Sequence, residues 1–265
     1  METSDLKATF NEDAERYHAY RPQYPRALFD KLTHDAHITA ASCVLEIGPG
    51  TGQATVPMAK LGCDITAIEL GASLAAKART VLSDYSNVTV ITAAYEDADL
   101  PAGSFDLIYS ATAFHWIRPE VRFTKTAKLL KPGGHLAVIY SEHVSDEKGD
   151  AFFLASKPIY QRYTAKDSPV NTSDTFRLPR ANELKPRPPI DSPLFTLKSF
   201  TTFPVVIRYS AHDYAELLNT YSPTIALSAD KRQAFLSAIR ELIDTDFGGS
   251  VERHFAMTLT IARKN

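Results

Sequence analysis

The sequence predicts an α/β fold in which helices cover both faces of a mainly parallel sheet, the doubly wound arrangement. Between Cys43 and Ser141, short runs of apolar and β-branched residues alternate with helical stretches. A glycine-rich turn follows the first of these runs. Hydrophobic residues make up 44% and charged residues 23% of the 265 residues, so a folded domain with a sizeable core is expected.

Five strands are predicted in this central part of the chain, at Cys43 to Ile47, Asp64 to Leu70, Val88 to Thr92, Phe105 to Ser110 and Leu136 to Ser141. Helices are predicted between them, at Gln53 to Lys60, Ala72 to Ser83 and Pro119 to Leu130. Pro119 suits the first turn of its helix, because the N–H that proline lacks would have no helical partner there. Lys131 to Gly134, with the sequence K-P-G-G, predict the turn that ends this helix.

The flanking segments follow other patterns. Residues 1–36, rich in tyrosine and charge before a helix that begins near Pro25, are predicted to form an N-terminal helical lid on a core at 37–145. Residues 146–265 are predicted to supply a helical cap insertion and the last two of seven strands, within a single structural domain. Those strands are expected at the far edge of the sheet, at Phe200 to Tyr209 and His254 to Ala262. Helices are expected at Asp213 to Tyr221 and Asp230 to Asp246, and a proline-rich loop at Leu178 to Pro193.

Charge and composition exclude several classes of protein. The 31 acidic and 29 basic residues leave a net charge of -2, which offers no electrostatic footprint for nucleic acid or an anionic membrane. No apolar run approaches the length of a bilayer span, so a cytoplasmic protein without membrane contact is expected. Cys43 and Cys63 belong to no metal-binding spacing, and both are expected to be buried thiols. Nothing in the sequence indicates an oligomeric state.

The strongest local signal is the apolar strand that runs into Gly48, Gly50 and Gly52 and then into a helix. Such glycines let the backbone turn tightly and approach a ligand, and the helix start adds free N–H donors. Glu69 ends the second strand, where a carboxylate can accept hydrogen bonds from both hydroxyls of a ribose. A ligand that contains a nucleoside is therefore predicted.

Glu46, directly before the glycines, decides between the possible ligands. A buried carboxylate would repel a pyrophosphate, whereas it would attract the ammonium and sulfonium of S-adenosylmethionine. The loop also lacks Lys and Arg, and its G-x-G-x-G spacing differs from the G-x-G-x-x-G of dinucleotide sites. S-adenosylmethionine is therefore the predicted cofactor. The alternatives are an NAD(P)-dependent oxidoreductase and a non-catalytic module that binds S-adenosylmethionine.

With these motifs, the sequence resembles the class I S-adenosylmethionine-dependent methyltransferases, particularly the type 11 and type 25 groups that act on small molecules. The resemblance implies a Rossmann-like fold and covers Cys43 to Ser141. Its motifs are E-I-G-P-G-T-G at Glu46 to Gly52, A-I-E-L ending at Leu70, Y-E-D at Tyr95 to Asp97, L-P-A-G-S-F-D-L-I at Leu100 to Ile108, and L-L-K-P-G-G ending at Gly134. A bacterial and fungal subgroup with an N-terminal lid is similar at R-Y-H-A-Y-R-P-Q-Y-P, Arg16 to Pro25, and at A-F-H-W, Ala113 to Trp116.

The resemblance implies a role for each matching position of the cofactor site. Glu46, Gly48, Gly50 and Gly52 would hold the methionine part, Glu69 the ribose, and Tyr95 and Glu96 the adenine, with Leu70 as a further cofactor-binding residue. One position departs from the family pattern. Many relatives place Asp where this chain has Ala94, so Glu96 or Asp97 must accept from the adenine amino group, or the contact is lost.

The reaction leaves further candidates open. His115 follows the fourth strand at the ligand-binding edge, where it would act as a general base or form part of the pocket wall. Tyr17 and Tyr20 are expected to share one helix face and to close over the cofactor, or to serve lid packing, and Tyr20 is the second candidate catalytic residue. Arg21 would bind the methionine carboxylate or an acidic substrate, or pair with a surface acid.

The acceptor is expected to be a small molecule, because nothing favours a polymer. No D/N-P-P-Y/F sequence of nucleic-acid methyltransferases follows the fourth strand. A basic run among prolines is predicted to be a solvated loop, with a substrate-carboxylate role as the alternative; it comprises Arg177, Arg180, Lys185 and Arg187. The nucleophilic atom of the acceptor stays open.

Overall fold

The computed structural model describes residues 14–145, 151–164, 177–187 and 193–265. Seven strands form a sheet, namely β1 (Cys43–Ile47), β2 (Asp64–Glu69), β3 (Val88–Thr92), β4 (Phe105–Ala111), β5 (Leu130–His143), β6 (Phe195–Ser210) and β7 (Ser250–Lys264). The strand order is β3-β2-β1-β4-β5-β7-β6. The predicted α/β fold class is therefore confirmed, and the last two strands lie at the far edge of the sheet as expected.

The described helices are α1 (Ala14–Tyr20), α2 (Arg26–Asp35), α3 (Thr55–Ala59), α4 (Ala72–Val81), α5 (Pro119–Leu129), α6 (Ala151–Tyr163), α7 (Ala211–Leu218), α8 (Ser222–Ile225) and α9 (Ala229–Asp246). Short 3-10 helices lie at Phe114–Trp116 and Ala181–Glu183. None of these helices is long and apolar enough to cross a membrane.

The strand order places β1 at the centre of the parallel part of the sheet. It pairs in parallel with β2 on one side and β4 on the other. Four of its five residues are buried, because helices cover a strand of this kind on both faces. The chain reverses its winding direction between β1 and β4, and ligands of open α/β sheets bind at the carboxyl ends of strands at such a switch point.

Three local predictions are wrong. Lys131 to Gly134 do not form a separate turn, because β5 already begins at Leu130 and its register with β4 shifts, so that Phe105 pairs with Leu130 and Leu107 with His135. Helix α3 begins two residues later than predicted, since Gly52 has a φ of +90° and turn residues follow it. Cys43 is only partly buried, whereas Cys63 is buried as expected.

The chain divides into two compact units that are each discontinuous in sequence. The sheet unit comprises Gln23–Glu142, Lys185–Phe203 and Met257–Asn265. The helical unit comprises the described residues of Met1–Pro22, His143–Leu184 and Pro204–Ala256. The predicted division runs sequentially along the chain instead, because sequence patterns do not show that α2 belongs with the sheet and α1 with the later helices.

The core of the sheet unit lies against the parallel strands. Its fully buried side chains include Leu45, Ile108, Phe114, Leu136 and Val138. This packing holds the carboxyl ends of β1, β2, β4 and β5 in place, and the polar residues of interest lie at these ends.

Candidate functional site

Glu46 is the fourth of the five residues of strand β1 and has no exposed surface. Its Oε2 accepts hydrogen bonds from Thr55 Oγ1 at 2.6 Å and from the Tyr109 hydroxyl at 2.7 Å. Its Oε1 is buried and has no partner among the described residues. Burial, reinforced by the charge of Glu69, raises the pKa of Glu46 to about 7, despite the two hydroxyl donors. The site therefore contains a carboxyl oxygen that a cationic donor would satisfy.

The glycine loop follows Glu46 directly. Gly48 has a φ of +69° and its N–H donates to Ile68 O at 2.9 Å, which ties the loop to β2. A Cβ at this position would lie 2.4 Å from the Cβ of Ala113, so only glycine fits. Gly50 and Gly52 also have positive φ. Three of the five loop residues therefore carry no side chain, which lets a ligand approach the backbone at these positions.

Glu69 connects this loop to the end of β2. Its Oε2 accepts from Gly50 N at 2.9 Å and its Oε1 from Gly71 N at 2.8 Å. Burial raises the pKa of Glu69, and these backbone hydrogen bonds act in the opposite direction. Each carboxylate oxygen has a second lone pair, so ribose hydroxyls remain possible donors. Leu70 beside it is 48% exposed and presents an apolar surface.

The residues expected to contact adenine differ in which of their polar groups are available for hydrogen bonds. The Tyr95 side chain points into the core, where its hydroxyl lies 3.0 Å from Thr126 Oγ1, so only its backbone remains a candidate. Glu96 Oε1 accepts from Arg118 N at 3.1 Å. Asp97 is exposed and its N–H donates to Ala94 O. Glu96 is thus held in place by a backbone donor, whereas the Asp97 side chain has no hydrogen bond to a described residue.

His115 follows β4, as predicted, and lies in the short 3-10 helix Phe114–Trp116. The residue is exposed, yet its ring lies against Trp116 and Tyr140, with centroids 4.7 and 5.6 Å away. Partial burial of the ring, together with the charges of Arg122 and Arg187, lowers the pKa of His115 to about 4. The imidazole is therefore neutral at neutral pH but a weak base, which favours the pocket-wall role over general-base catalysis.

Two residues that sequence reasoning missed lie at this edge of the sheet. Thr112, directly after β4, has a φ of +58°, which is rare for a β-branched residue and strained. Its Oγ1 lies 2.6 Å from the hydroxyl of Tyr24. Tyr109 was also missed, although it is the β4 residue in register with Glu46 on β1. The sequence alone contains no signal for this contact, because the register is known only when the two strands are paired.

The predicted lid residues belong to the helical unit. Helix α1 contains Tyr17 and Tyr20, and the Tyr20 ring lies 6.3 Å from that of His212. Arg21 follows the helix and donates to Thr220 through Nε and Nη2, so the predicted alternative of a surface acid as its partner is wrong. Contacts of Tyr17, Tyr20 and Arg21 with a cofactor stay predictions.

Two residues of the basic run among prolines, Arg177 and Arg187, make separate ion pairs. Arg177 forms a two-pronged ion pair with Glu183, at 2.7 and 2.8 Å, as a solvated loop would. Arg187 pairs with Glu142 at 3.1 Å, and its guanidinium lies 5.8 Å from the Tyr140 ring. No group of His, Cys, Asp and Glu side chains suited to a metal ion occurs in the described ranges.

Taken residue by residue, the sheet unit fits a nucleoside that carries a cation. The buried Oε1 of Glu46, which has no hydrogen bond among the described residues, suits an ammonium group, and the glycine positions of the loop suit close backbone contact. Glu69 suits ribose hydroxyls, and Leu70 suits an apolar ring face. A pyrophosphate would instead face the carboxyl groups of Glu46 and Glu69.

The sequence is similar to proteins that are named as methyltransferases. A family model described as a methyltransferase domain matches residues 45–138. A protein of Dictyostelium discoideum named as a methyltransferase is 32% identical over 192 residues, which cover 65% of this chain and 71% of that protein. An uncharacterised methyltransferase of Mycobacterium tuberculosis is 26% identical over 232 residues, covering 84% of this chain and 90% of the relative.

Solved structures show the same architecture. A protein of Anaeromyxobacter dehalogenans named as a type II methyltransferase superposes with a TM-score of 0.57 at 22% identity. The match covers 93% of this chain and 98% of that one. At this level of identity the likeness concerns the fold.

Proposed function

The chain belongs to the class I S-adenosylmethionine-dependent methyltransferases, and we propose that its sheet unit binds S-adenosylmethionine and that the enzyme methylates a small molecule. The bound cofactor would supply a methyl group already activated by the sulfonium. The protein would then contribute mainly alignment and exclusion of water.

The observation that carries this proposal is the state of Glu46. One of its oxygens is held by two hydroxyl donors, and the other is buried without a hydrogen bond in the described part of the chain. An unpaired buried carboxyl oxygen is costly, and a ligand ammonium would remove that cost. A dinucleotide would not, so the oxidoreductase alternative has no support.

Each neighbouring residue has a proposed role. The loop at Gly48 to Gly52 approaches the methionine part, Glu69 accepts from the ribose hydroxyls, and Leu70 contacts the adenine ring. Glu96 takes the acceptor role that Ala94 lacks, with its carboxyl held by Arg118 N. The side chain of Tyr95 has no part, since it is buried in the core.

Binding calorimetry with S-adenosylhomocysteine and with NAD tests the cofactor proposal directly. We expect saturable binding of S-adenosylhomocysteine and none of NAD. The reverse result would overturn the proposal. Incubation with methyl-labelled S-adenosylmethionine and a panel of small acids, amines, thiols and phenols then tests turnover. Tight cofactor binding without transfer to any of them would favour the non-catalytic alternative.

A further inference from the structure

The helical unit contains a cluster of basic and aromatic side chains that we call the Arg21 cluster. Its members are Tyr17, Arg21, His143, Tyr209, Tyr221 and Arg253. The guanidinium of Arg21 lies over two aromatic rings, with its carbon 4.9 Å from the centroid of Tyr17 and 4.4 Å from that of Tyr221. Stacking of this kind positions a guanidinium while it keeps its charge and its hydrogen-bond donors.

The guanidinium of Arg21 uses only one of its edges. Nε donates to Thr220 Oγ1 at 2.8 Å and Nη2 donates to Thr220 O at 2.7 Å. These contacts occupy the side edge. The end edge, formed by Nη1 and the second hydrogen of Nη2, makes no hydrogen bond and no ion pair within the part of the chain that the structure describes. Such an edge matches the two oxygens of a carboxylate through parallel N–H···O bonds.

A second donor belongs to the same cluster, since the Tyr221 ring that lies 4.4 Å from the Arg21 guanidinium also carries a hydroxyl. His143 Nε2 is 3.2 Å from the Tyr221 hydroxyl, and Nδ1 of the same ring is buried without a hydrogen bond to any described residue. Burial, with the charges of Arg253 and Arg21, lowers the pKa of His143 to about 3, so the ring is neutral at neutral pH. The His143 and Tyr221 pair then carries two polar hydrogens and needs only one for its own bond. When Nε2–H donates, the Tyr221 hydroxyl hydrogen is available to a ligand.

The charges around the cluster favour a negative ligand. Both charged groups that act on His143 are guanidiniums, those of Arg253 and Arg21. Burial raises the pKa of Tyr221 to about 12, although Arg21 acts against it, so the phenol keeps its proton and remains a donor. A ligand cation would meet repulsion here, whereas an anion would be attracted.

We infer that Arg21 and the Tyr221 hydroxyl form a binding site for the carboxylate of a small organic molecule. The carboxylate oxygens accept from the end edge of Arg21, and one of them also accepts from Tyr221. The rings of Tyr17 and Tyr221 contact the apolar part of the ligand. That the ligand is the methyl acceptor rests on the proposed function; binding of a carboxylate depends on the helical unit alone.

Acetate is the minimal probe of this site. Sodium acetate is titrated into the protein at constant ionic strength, with sodium chloride as the balance, while NMR follows the arginine Nε–H and the backbone amide resonances. We expect saturable shifts at Arg21. Arg21→Lys, which keeps the charge but removes the planar edge, should weaken binding by about tenfold, as expected for charge-assisted hydrogen bonds. Tyr221→Phe, which keeps the ring, should weaken it by a smaller factor.

Arg162→Gln is the matched control, because Arg162 is an exposed arginine of the same unit whose guanidinium lies 5.4 Å from the Tyr163 ring. It should bind acetate as the natural protein does. Absence of saturable shifts, or equal affinity in Arg21→Lys, overturns the inference. So does tighter binding of inorganic phosphate through the same residues. If Arg21→Lys does not fold, Tyr221→Phe decides.

S-adenosylhomocysteine binding is measured on the same samples. If the protein binds S-adenosylhomocysteine but not acetate, the proposed function is supported and the inference is wrong. If it binds acetate but not S-adenosylhomocysteine, the inference is supported and the proposed function is wrong. If Arg21→Lys impairs only S-adenosylhomocysteine binding, Arg21 serves the cofactor and the inference is wrong.

Discussion

The hydroxyl of Tyr109 on β4 donates a 2.7 Å hydrogen bond to Oε2 of Glu46 on the adjacent strand β1. The two residues are in register across the parallel pair. Thr55 donates to the same oxygen, which leaves Oε1 without a bond among the described residues. This arrangement orients a buried carboxyl group so that one oxygen remains for a ligand.

Removal of the Tyr109 hydroxyl should weaken cofactor binding more than folding. In Tyr109→Phe, Thr55 alone holds Oε2, so Glu46 is less well oriented. We expect a three- to tenfold increase in the dissociation constant of S-adenosylhomocysteine by calorimetry, in line with about 1 kcal/mol for one hydrogen bond. Tyr85→Phe on the segment before β3 is the control and should bind as the natural protein does. A Tyr109→Phe protein with unchanged affinity would show that Thr55 suffices.

Cofactor affinity should depend on pH through Glu46. Because its pKa is about 7 in the free protein, and the ligand ammonium favours the ionised form, binding should release a proton below pH 7. Affinity for S-adenosylhomocysteine should therefore fall as pH decreases from 7 to 5.5. Calorimetry in buffers of different ionisation enthalpy measures the released proton. Glu46→Gln should remove this pH dependence and weaken binding at pH 8.

The raised pKa of Glu46 also affects the free energy of unfolding. This free energy should decrease as pH rises, whereas the affinity for the cofactor should increase. The pKa of Glu46 is higher in the folded than in the unfolded protein, so the folded state binds more protons between pH 4.5 and 7. The free energy of unfolding should decrease as pH rises through this window and level off above it. Urea unfolding of the ligand-free protein should show a contribution of up to about 3 kcal/mol that Glu46→Gln lacks. If the free energy of unfolding depends on pH equally in the natural protein and in Glu46→Gln, the pKa of Glu46 is not raised.

Replacement of Glu69 should loosen the glycine loop and the ribose contacts together. In Glu69→Gln the amide nitrogen must face Gly50 N or Gly71 N, which are both donors. We expect at least a tenfold rise in the dissociation constant of S-adenosylhomocysteine, since a charge-assisted hydrogen bond contributes about 1.5–3 kcal/mol. Asp64→Asn, an exposed acid at the start of the same strand, provides the comparison. Equal affinities of the two variants would exclude Glu69 from the site.

The left-handed backbone of Thr112 should destabilise the protein, and the hydrogen bond between Thr112 and Tyr24 should offset part of this cost. Left-handed backbone costs a non-glycine residue about 1–2 kcal/mol, and the bond to Tyr24 returns about 1 kcal/mol. Thr112→Gly should therefore be at least as stable as the natural protein, whereas Tyr24→Phe should be less stable by about 1 kcal/mol. In the Thr112→Gly background, Tyr24→Phe should cost less. Urea unfolding of all four proteins closes this cycle, and an additive result would mean that the hydroxyls do not interact.

His115 should titrate near pH 4 and not near neutrality. NMR of the imidazole resonances, assigned by comparison with His115→Asn, measures this directly. A pKa above 6 would restore His115 as a general-base candidate. Arg122→Gln should raise the pKa, because the guanidinium that disfavours the imidazolium is lost.

Local patterns in the sequence determined the order of strands and helices and placed Glu46, Gly48 and Glu69 at the candidate site. These patterns are short-range features, namely period-two apolar runs, glycine turns and the residues beside them. They can therefore be recognised without a structure. The positions of the last two strands at the sheet edge were predicted for the same reason, since their apolar alternation is local.

Only the tertiary structure decided which residues complete the site. Tyr109 lies 63 residues from Glu46 in sequence, and Thr220 lies 199 from Arg21. Their contacts depend on strand register and on packing between distant segments, which local periodicity does not specify. The positive φ of Thr112 contradicts the preference of threonine, because surrounding contacts override local propensity there. The sequence thus located the cofactor loop, and long-range packing set the proton affinity and orientation of the groups around it.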